Sequence, residues 1–443
     1  MDVKINHRPN GSALLLTLIT TAIIGILLAS YLTLVSAQNR SITRSQAWNA
    51  CIPVLETGIE EALTQINRKY PVRRLGSDGW TLDPDGYYRK TRSLDKTNFC
   101  VTAIDPVDPP VIYAIGHVPA PLSHPPVLGL LAPTHDSSDS RYLVRMVRVN
   151  TRGVGLFTKA MLASDTITLN GNRISTDSFD SGDPLYSTFG HYDAAKARDH
   201  GDIATISGFT QGMNTGNAKI KGDAATGPNG TIKVGSNGSL GDAAWVDSGT
   251  TGIQPGHTSN DMNIDIFDVD IPFTSGYSIP IGAVIGKTNY NYILLPGDYK
   301  LSSFSGKVYV APGGVVRLWV TDTMNFSGQD YIYLAPGATL ELYVGAATAS
   351  LSNVNNTGTV NDFTYWGLPS NKTLNFGGNS SFTGLIYAPE ASFNLGGGGN
   401  NDIDFVGACV VQKVKMNGHF KFHYDEGLRR RPSRYVAVDW NEL

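Results

Sequence analysis

Between Pro9 and Asn39 the chain carries no charged residue, and Ala13 to Val35 is almost entirely Leu, Ile, Ala, Val and Thr. At about 1.5 Å per residue this run crosses a hydrocarbon core of about 30 Å as a single helix. A secretory signal has an apolar region of only about 7 to 15 residues. The expectation is therefore a retained transmembrane helix over residues 12–37. Val35-Ser36-Ala37 has the small-x-small form of a signal cleavage site, so release by cleavage after Ala37 is the alternative. Flanking charge does not set the orientation, since Lys4 and Arg8 on one side face Arg40 and Arg44 on the other.

Asn10-Gly11-Ser12 stands directly before the apolar run, at the end of a short leader that contains Lys4 and Arg8. A basic leader ending in Gly and followed at once by an apolar helix resembles the signal of type IV pilins and pseudopilins. The resemblance implies a leader of residues 1–11, cut between Gly11 and Ser12 by a prepilin peptidase. The family usually begins its mature chain with Phe or Met and carries a Glu at the fifth mature position; here those positions hold Ser12 and Leu16. Because that Glu is associated with shaft assembly, its absence suits a minor or accessory subunit. Trp48, Ile52, Leu55, Ile59, Leu63 and Ile66 recur at steps of three or four and extend the helix beyond the membrane. Within this stretch, Glu56-Thr57-Gly58-Ile59-Glu60-Glu61-Ala62-Leu63 is similar to the corresponding segment of PilX-type minor pilins. Pro53 removes one helical hydrogen bond and is expected to kink the helix.

Beyond the helix the period becomes that of strands. Phe99 to Ile104, Val111 to Ile115 and Tyr142 to Val149 alternate, while the Pro-rich and Gly-rich stretch from Pro119 to Pro133 is a loop. A long helix and a small antiparallel sheet form the expected pilin-like α+β head, residues 38–152. The chain has 48 Gly and 23 Pro, with 41% hydrophobic and 16% charged residues, a balance that excludes a charged disordered chain. Lys and Arg total 35 against 38 Asp and Glu, giving a net charge of -3 and no basic field to attract nucleic acid.

Residues 153–427 repeat. Val308-Tyr309-Val310-Ala311-Pro312-Gly313 aligns with Ile332-Tyr333-Leu334-Ala335-Pro336-Gly337 at an offset of 24, and Tyr387-Ala388-Pro389 to Leu395 reads as a third copy. Met324-Asn325-Phe326-Ser327-Gly328 resembles Leu374-Asn375-Phe376-Gly377-Gly378, and Lys219 to Ala224 resembles Ser239 to Ala244. Short strands joined by Ala-Pro-Gly corners at this period predict a mainly β domain, a right-handed β-solenoid in which each rung buries its apolar positions against the next. A β-sandwich is the alternative. Phe382 to Pro389, Phe405 to Ala408 and Phe422 to Leu428 are similar to an uncharacterised β-repeat domain that accompanies PilX-type N-termini; that resemblance implies no activity.

Residues with chemical potential are sparse. His419 and His423 lie four apart before Asp425 and Glu426, a spacing that converges on a metal only on a helix, whereas the surroundings predict a strand. Asp261-Met262-Asn263-Ile264-Asp265 begins like a calcium loop but has Ile266 and Pro272 where Gly and Glu are needed; its alternation predicts a strand with a polar face. Gly396 to Gly399 lacks the Lys of a phosphate loop and is read as a corner. Cys51 and Cys100 could be bridged in an oxidising compartment, and residues 428–443, with Arg429-Arg430-Arg431, read as a solvated basic tail.

No catalytic residue, cofactor or metal is expected. The expectation is a structural, non-enzymatic minor pilin or pseudopilin-like subunit of a type IV pilus or type II secretion-like assembly. It would be a single-pass protein of the bacterial inner membrane with its large domain periplasmic or at the cell surface. Its expected partners are other pilin-like subunits, the prepilin peptidase and the membrane, with no nucleic acid, and its solenoid surface would serve adhesion or interaction, with a surface or polysaccharide ligand as a candidate. The competing reading is a secreted β-helix protein that binds or acts on polysaccharide, with Trp319, Tyr343, Trp366 and Tyr387 as sugar-stacking candidates.

Overall fold

The computed structural model describes residues 12–67, 75–120, 142–171, 173–378, 380–397, 399, 401–430 and 434–443. The leader with Gly11, most of the Pro-rich loop and Arg431 lie outside them. The protein is mainly β, with one long apolar N-terminal helix. It divides into two units, Met1–Gly153 with Arg434–Leu443, and Val154–Ser433.

In the first unit, helix α1 (Ser12–Asn67) continues through Pro53 for 56 residues, about 84 Å at 1.5 Å per residue. Only its C-terminal part has a buried face: Cys51, Val54, Leu55, Ile59, Ala62 and Ile66 join one hydrophobic core. The buried stripe is rotated from the expected one, and Trp48 is exposed, with the Arg145 guanidinium 5.0 Å from its ring centroid. This face meets an antiparallel meander of β1 (Thr81–Leu82), β2 (Tyr88–Ser93), β3 (Phe99–Asp105), β4 (Val111–Pro119) and β5 (Tyr142–Val154). Strict alternation turns Cys100, Thr102 and Ile104 of β3, and Ile112, Ala114 and Val118 of β4, toward the core.

At Gly58 the helix comes close to β3. A Cβ on Gly58 would run into Cys100 Sγ and Thr102 Oγ1, so only glycine lets the helix lie this near β3. One turn later Glu61 pairs with Lys90 at 2.8 Å and Arg92 at 2.9 Å. Burial raises the Glu61 carboxyl, but these two cations more than offset it and hold the group below its ordinary value.

The C-terminal residues are not a tail. Arg434–Glu442 is the sixth strand of the head sheet, beside β5. Leu443 N–H donates to Met146 O at 3.0 Å, and Asp439 accepts from the Asn150 amide, so the two strands run in opposite directions. Tyr435 is buried and donates to Asp108 Oδ1, while its backbone exchanges two hydrogen bonds with the Asn67 amide. The cause lies in Tyr435-Val436-Ala437-Val438, a strand-like run that the neighbouring arginines obscured.

Residues 154–433 are therefore inserted between two adjacent strands of one sheet. Apart from the hairpin of Ile281–Ile285 with Thr288–Leu294, the described sheet pairings of this unit are parallel, which is not the arrangement of a β-sandwich built from antiparallel sheets. One column of in-register residues runs Tyr299, Leu318, Leu342, Tyr365, Ile386, Cys409, Met161, Ile203, Ala224 and Thr258. A second runs Phe304, Met324, Ala349, Leu374, Phe393, Val414, Ile167, Met213 and Ile232. The offset-24 repeat is a pair of neighbouring rungs, Val308 opposite Ile332. The pair Ile220 and Leu240 is likewise in register. Met324 and Leu374 stand two rungs apart, with Ala349 between them. The third copy differs from expectation: Ile332 is followed by Val354, whereas Tyr387 pairs with Trp366 on another face.

The order of rungs departs from the order of the chain. The first strand of the unit, Met161–Leu169, lies on Ile403–Met416, a strand from its C-terminal end, so the chain enters and leaves in the middle of the stack. From Thr258–Ser259 at one end it must return to Ile281–Ile285 at the other. Residues 260–280 make that return without a regular strand, and the expected strand at Asp261 to Asp265 is part of this extended strap. Tyr387 Oη donates to Phe267 O at 2.8 Å and accepts from Phe267 N–H at 3.1 Å, and the Phe273 ring lies edge-on to Trp319.

Replacing Gly58 with Leu is expected to cost about 1–3 kcal/mol by overpacking against β3. Gly25→Leu, where an added Cβ meets nothing within 4 Å, is expected to change stability by less than about 0.5 kcal/mol. Chemical unfolding of the detergent-solubilised chain compares the two.

Candidate functional site

The N-terminal part of α1 is the largest exposed apolar feature. Leu14, Leu16, Ile24, Ile26, Leu28 and Leu32 all face outward, and the helix is long and apolar enough to cross a membrane. Four of its threonines need no water. Thr17, Thr20, Thr21 and Thr33 each donate to a backbone carbonyl three or four residues earlier, at 2.7–3.0 Å, which is how hydroxyls are accommodated in an apolar medium. Ser12 and Leu16 both lie within the helix.

The residues with the greatest chemical potential do not converge. His423 is buried, with Nδ1 2.6 Å from Asp177 Oδ1 and Nε2 3.3 Å from Asp404 Oδ1, and the Tyr192 ring stacks on it at 3.7 Å. Burial lowers the imidazole pKa, but the two carboxylates outweigh it and leave the group above its ordinary value. Each ring nitrogen is thus within hydrogen-bond distance of a carboxylate. His419 takes no part in this cluster. Asp425 accepts from the Ser181 and Gly427 backbone N–H groups, and Glu426 bonds Ser178, Arg198 and His200 at 2.8–2.9 Å. Among the described residues no group of three or more His, Cys, Asp or Glu is arranged to hold a metal ion. Cys51, Cys100 and Cys409 are buried and unbridged, and burial raises the pKa of each thiol.

These ion pairs form a seam where the first strands of the second unit meet its last. Arg430 pairs with Asp180 at 2.5 Å, and Arg429 with Asp202 at 2.8 Å. Arg429 and Arg430 are exposed, as expected of a solvated run, yet each is ion-paired to the second unit instead of lying in a free tail. Tyr424 Oη donates to Phe157 O at 2.7 Å, closing the same seam. Gly396 and Gly397 follow the strand that ends at Leu395, and a Cβ on Gly397, at φ +130°, would strike Gly378.

The proposed sugar-stacking residues form a real column, Trp319, Tyr343, Trp366 and Tyr387. Tyr343, Trp366 and Tyr387 are buried. The strap engages Tyr387 and Trp319, and Lys300 Nζ lies 4.1 Å from the Trp319 ring centroid. A different aromatic face is accessible. On the sheet formed by Thr288–Leu294, Lys307–Val310, Tyr331–Leu334 and Val354–Asn356, alternation turns Tyr309, Tyr331 and Tyr333 outward. Tyr309 and Tyr333 stack at 5.8 Å, and Tyr290 stands edge-on to Tyr309 and Tyr331. Burial, with Tyr331 beside it, pushes the Tyr290 hydroxyl up to about 12. A groove of about 690 Å3 opens beside Tyr290, Tyr331 and Tyr333, walled by Gln329, Asn353, Asn355, Asn356, Ser380, Ser381 and Thr383. The repeat that exposes these tyrosines was legible in the sequence, but which face the strap would cover was not.

Residues 294–431 match a family described as a domain of unknown function, DUF7305. The match takes in Tyr331, Tyr333 and His423, while Tyr290 lies before it. No curated protein and no solved structure matches the chain.

The charge on His423 fixes a pH dependence. Its raised pKa gives a stabilisation fully present below the unfolded value of about 6.5 and lost as pH rises through the folded value. The melting temperature of the wild type is therefore expected to fall toward that of His423→Gln across a pH series that rises from about 6. At the acidic end of that range the substitution is expected to cost about 3 kcal/mol, because it leaves two carboxylates facing a neutral side chain. Thermal unfolding of both proteins across the series measures this.

Proposed function

We propose that the protein is a minor pilin-like or pseudopilin-like structural subunit, anchored by residues 12–37 and displaying its inserted domain as a right-handed β-solenoid. One observation carries the reading. A single uninterrupted helix has an exposed apolar N-terminal part and a C-terminal part whose buried face packs on an antiparallel sheet. Such a helix supplies two functions at once, a membrane span and the spine of a head domain.

Two further features support it. Gly58 and Glu61, within the pilin-like segment, make the contacts that seat the helix on β3 and β2. Threonine hydroxyls in the apolar part are satisfied within the helix. Assembly would proceed through lateral packing of the apolar helices after a prepilin peptidase cuts behind Gly11, with the large domain on the periplasmic or outer side. No catalytic step enters this reading.

The mature N-terminus decides it. Intact-mass and peptide mass spectrometry of the protein from its native host is expected to find Ser12 as the first residue, and Gly11→Val is expected to leave the leader attached. A first residue of Gln38 would mean the anchor is discarded and would overturn the reading in favour of a secreted β-helix protein.

A further inference from the structure

The groove beside Tyr331 and Tyr333 is not used by anything described above. It is open, about 690 Å3 in volume, and among the described residues no charged one lines it; ligand sites commonly measure about 300–1,000 Å3. The strap engages the other aromatic column through Tyr387 and Trp319, while these tyrosines remain half-exposed.

The chemistry of the lining is specific. Tyr331 and Tyr333 are alternate residues of one strand, so their rings stand on the same face. In register beyond Tyr333 comes Asn355, which is exposed, and Ser381 and Thr383 stand across the groove. Flat aromatic faces bury weakly polar C–H surface, and amides and hydroxyls exchange hydrogen bonds in both directions. A ligand matching this surface has apolar ring faces, many hydroxyls and no net charge. Phosphate-bearing chains require cations along the groove; here Lys307, in register with Tyr331, and Asp330, next to it in sequence, are of opposite sign. A lipid chain requires apolar walls, and these are amides and hydroxyls.

We propose that this groove binds a neutral oligosaccharide, with Tyr331 and Tyr333 stacking on the sugar rings and Asn355, Ser381 and Thr383 holding the hydroxyls. The parallel stacking of rungs continues the surface along the stack, which suits a chain polymer over a single sugar. This assignment does not depend on how the N-terminus is processed.

Calorimetric titration of the full chain, in a detergent without sugar headgroups, tests it with cellohexaose, chitohexaose and mannohexaose as probes. A (dT)12 oligonucleotide and a proline-rich decapeptide serve as competitors of other classes. At least one hexasaccharide is expected to bind, and Tyr333→Ala to weaken that binding by about tenfold or more. Asn355→Arg, an exposed position, is expected to block the groove equally at an unchanged melting temperature, which separates loss of binding from loss of fold. Failure of all three sugars to bind, binding unaffected by both substitutions, or binding of only the oligonucleotide or the peptide would each overturn the proposal.

Discussion

The pairing of Met161–Leu169 with Ile403–Met416 is the contact on which the second unit depends. A parallel rung can bury its apolar residues only against the rungs above and below it. Two separate half-stacks would present four open ends; joined through this pairing they present two. The join is continuous in the interior, with Cys409 on Met161 and Val414 on Ile167. It is reinforced on another face by ions, with His423, Glu426, Arg429 and Arg430 from the late strands meeting Asp177, Arg198, Asp202 and Asp180 from the early ones. The stacked rings of Phe382, Phe405 and Phe422, at 4.5 and 4.2 Å, lead up to this seam, and Thr176 stands in register with Phe422 across it.

Two features follow from that order of rungs. Because the chain enters and leaves at the middle, the whole unit can be carried as an insertion between two strands of the head sheet. The chain must also return from one end of the stack to the other. Ten in-register positions define nine intervals, about 43 Å at about 4.8 Å each. Residues 260–280 span up to about 69 Å when extended, enough to make the return with slack. Their path over Tyr387 and Trp319 makes the strap the cover of one aromatic face and leaves the tyrosine face open.

Much of this was legible in the residues. The helix was readable because an uncharged apolar run admits few alternatives, and the rungs because Ala-Pro-Gly corners recur at a fixed offset. The order of the rungs was not, since a strand that buries alternate residues pairs equally well with a rung from either end of the chain. The same ambiguity placed Tyr387 on the wrong face: its Tyr-Ala-Pro looks like Tyr333 to Pro336, yet the register depends on how many residues occupy the preceding corner. Charge told only half of the C-terminal arrangement: Arg429 and Arg430 do face solvent, but they also pair with Asp202 and Asp180, more than two hundred residues away in sequence. His423 was singled out for its spacing from His419. Its actual partners, Asp177 and Asp404, come from two other strands, and no local pattern announces them.

Closure of the stack on its own middle is the central structural claim, and a disulfide trap tests it most directly. Thr168 and Lys415 are opposite one another in the pairing, whereas a stack that followed chain order would separate them by most of its length. The double variant Thr168→Cys with Lys415→Cys is expected to cross-link under mild oxidation and to migrate as a reductant-sensitive looped species. Asn394→Cys with Lys415→Cys joins consecutive rungs and is expected to cross-link under either order. Cross-linking of that control without the Thr168 pair would contradict the closure.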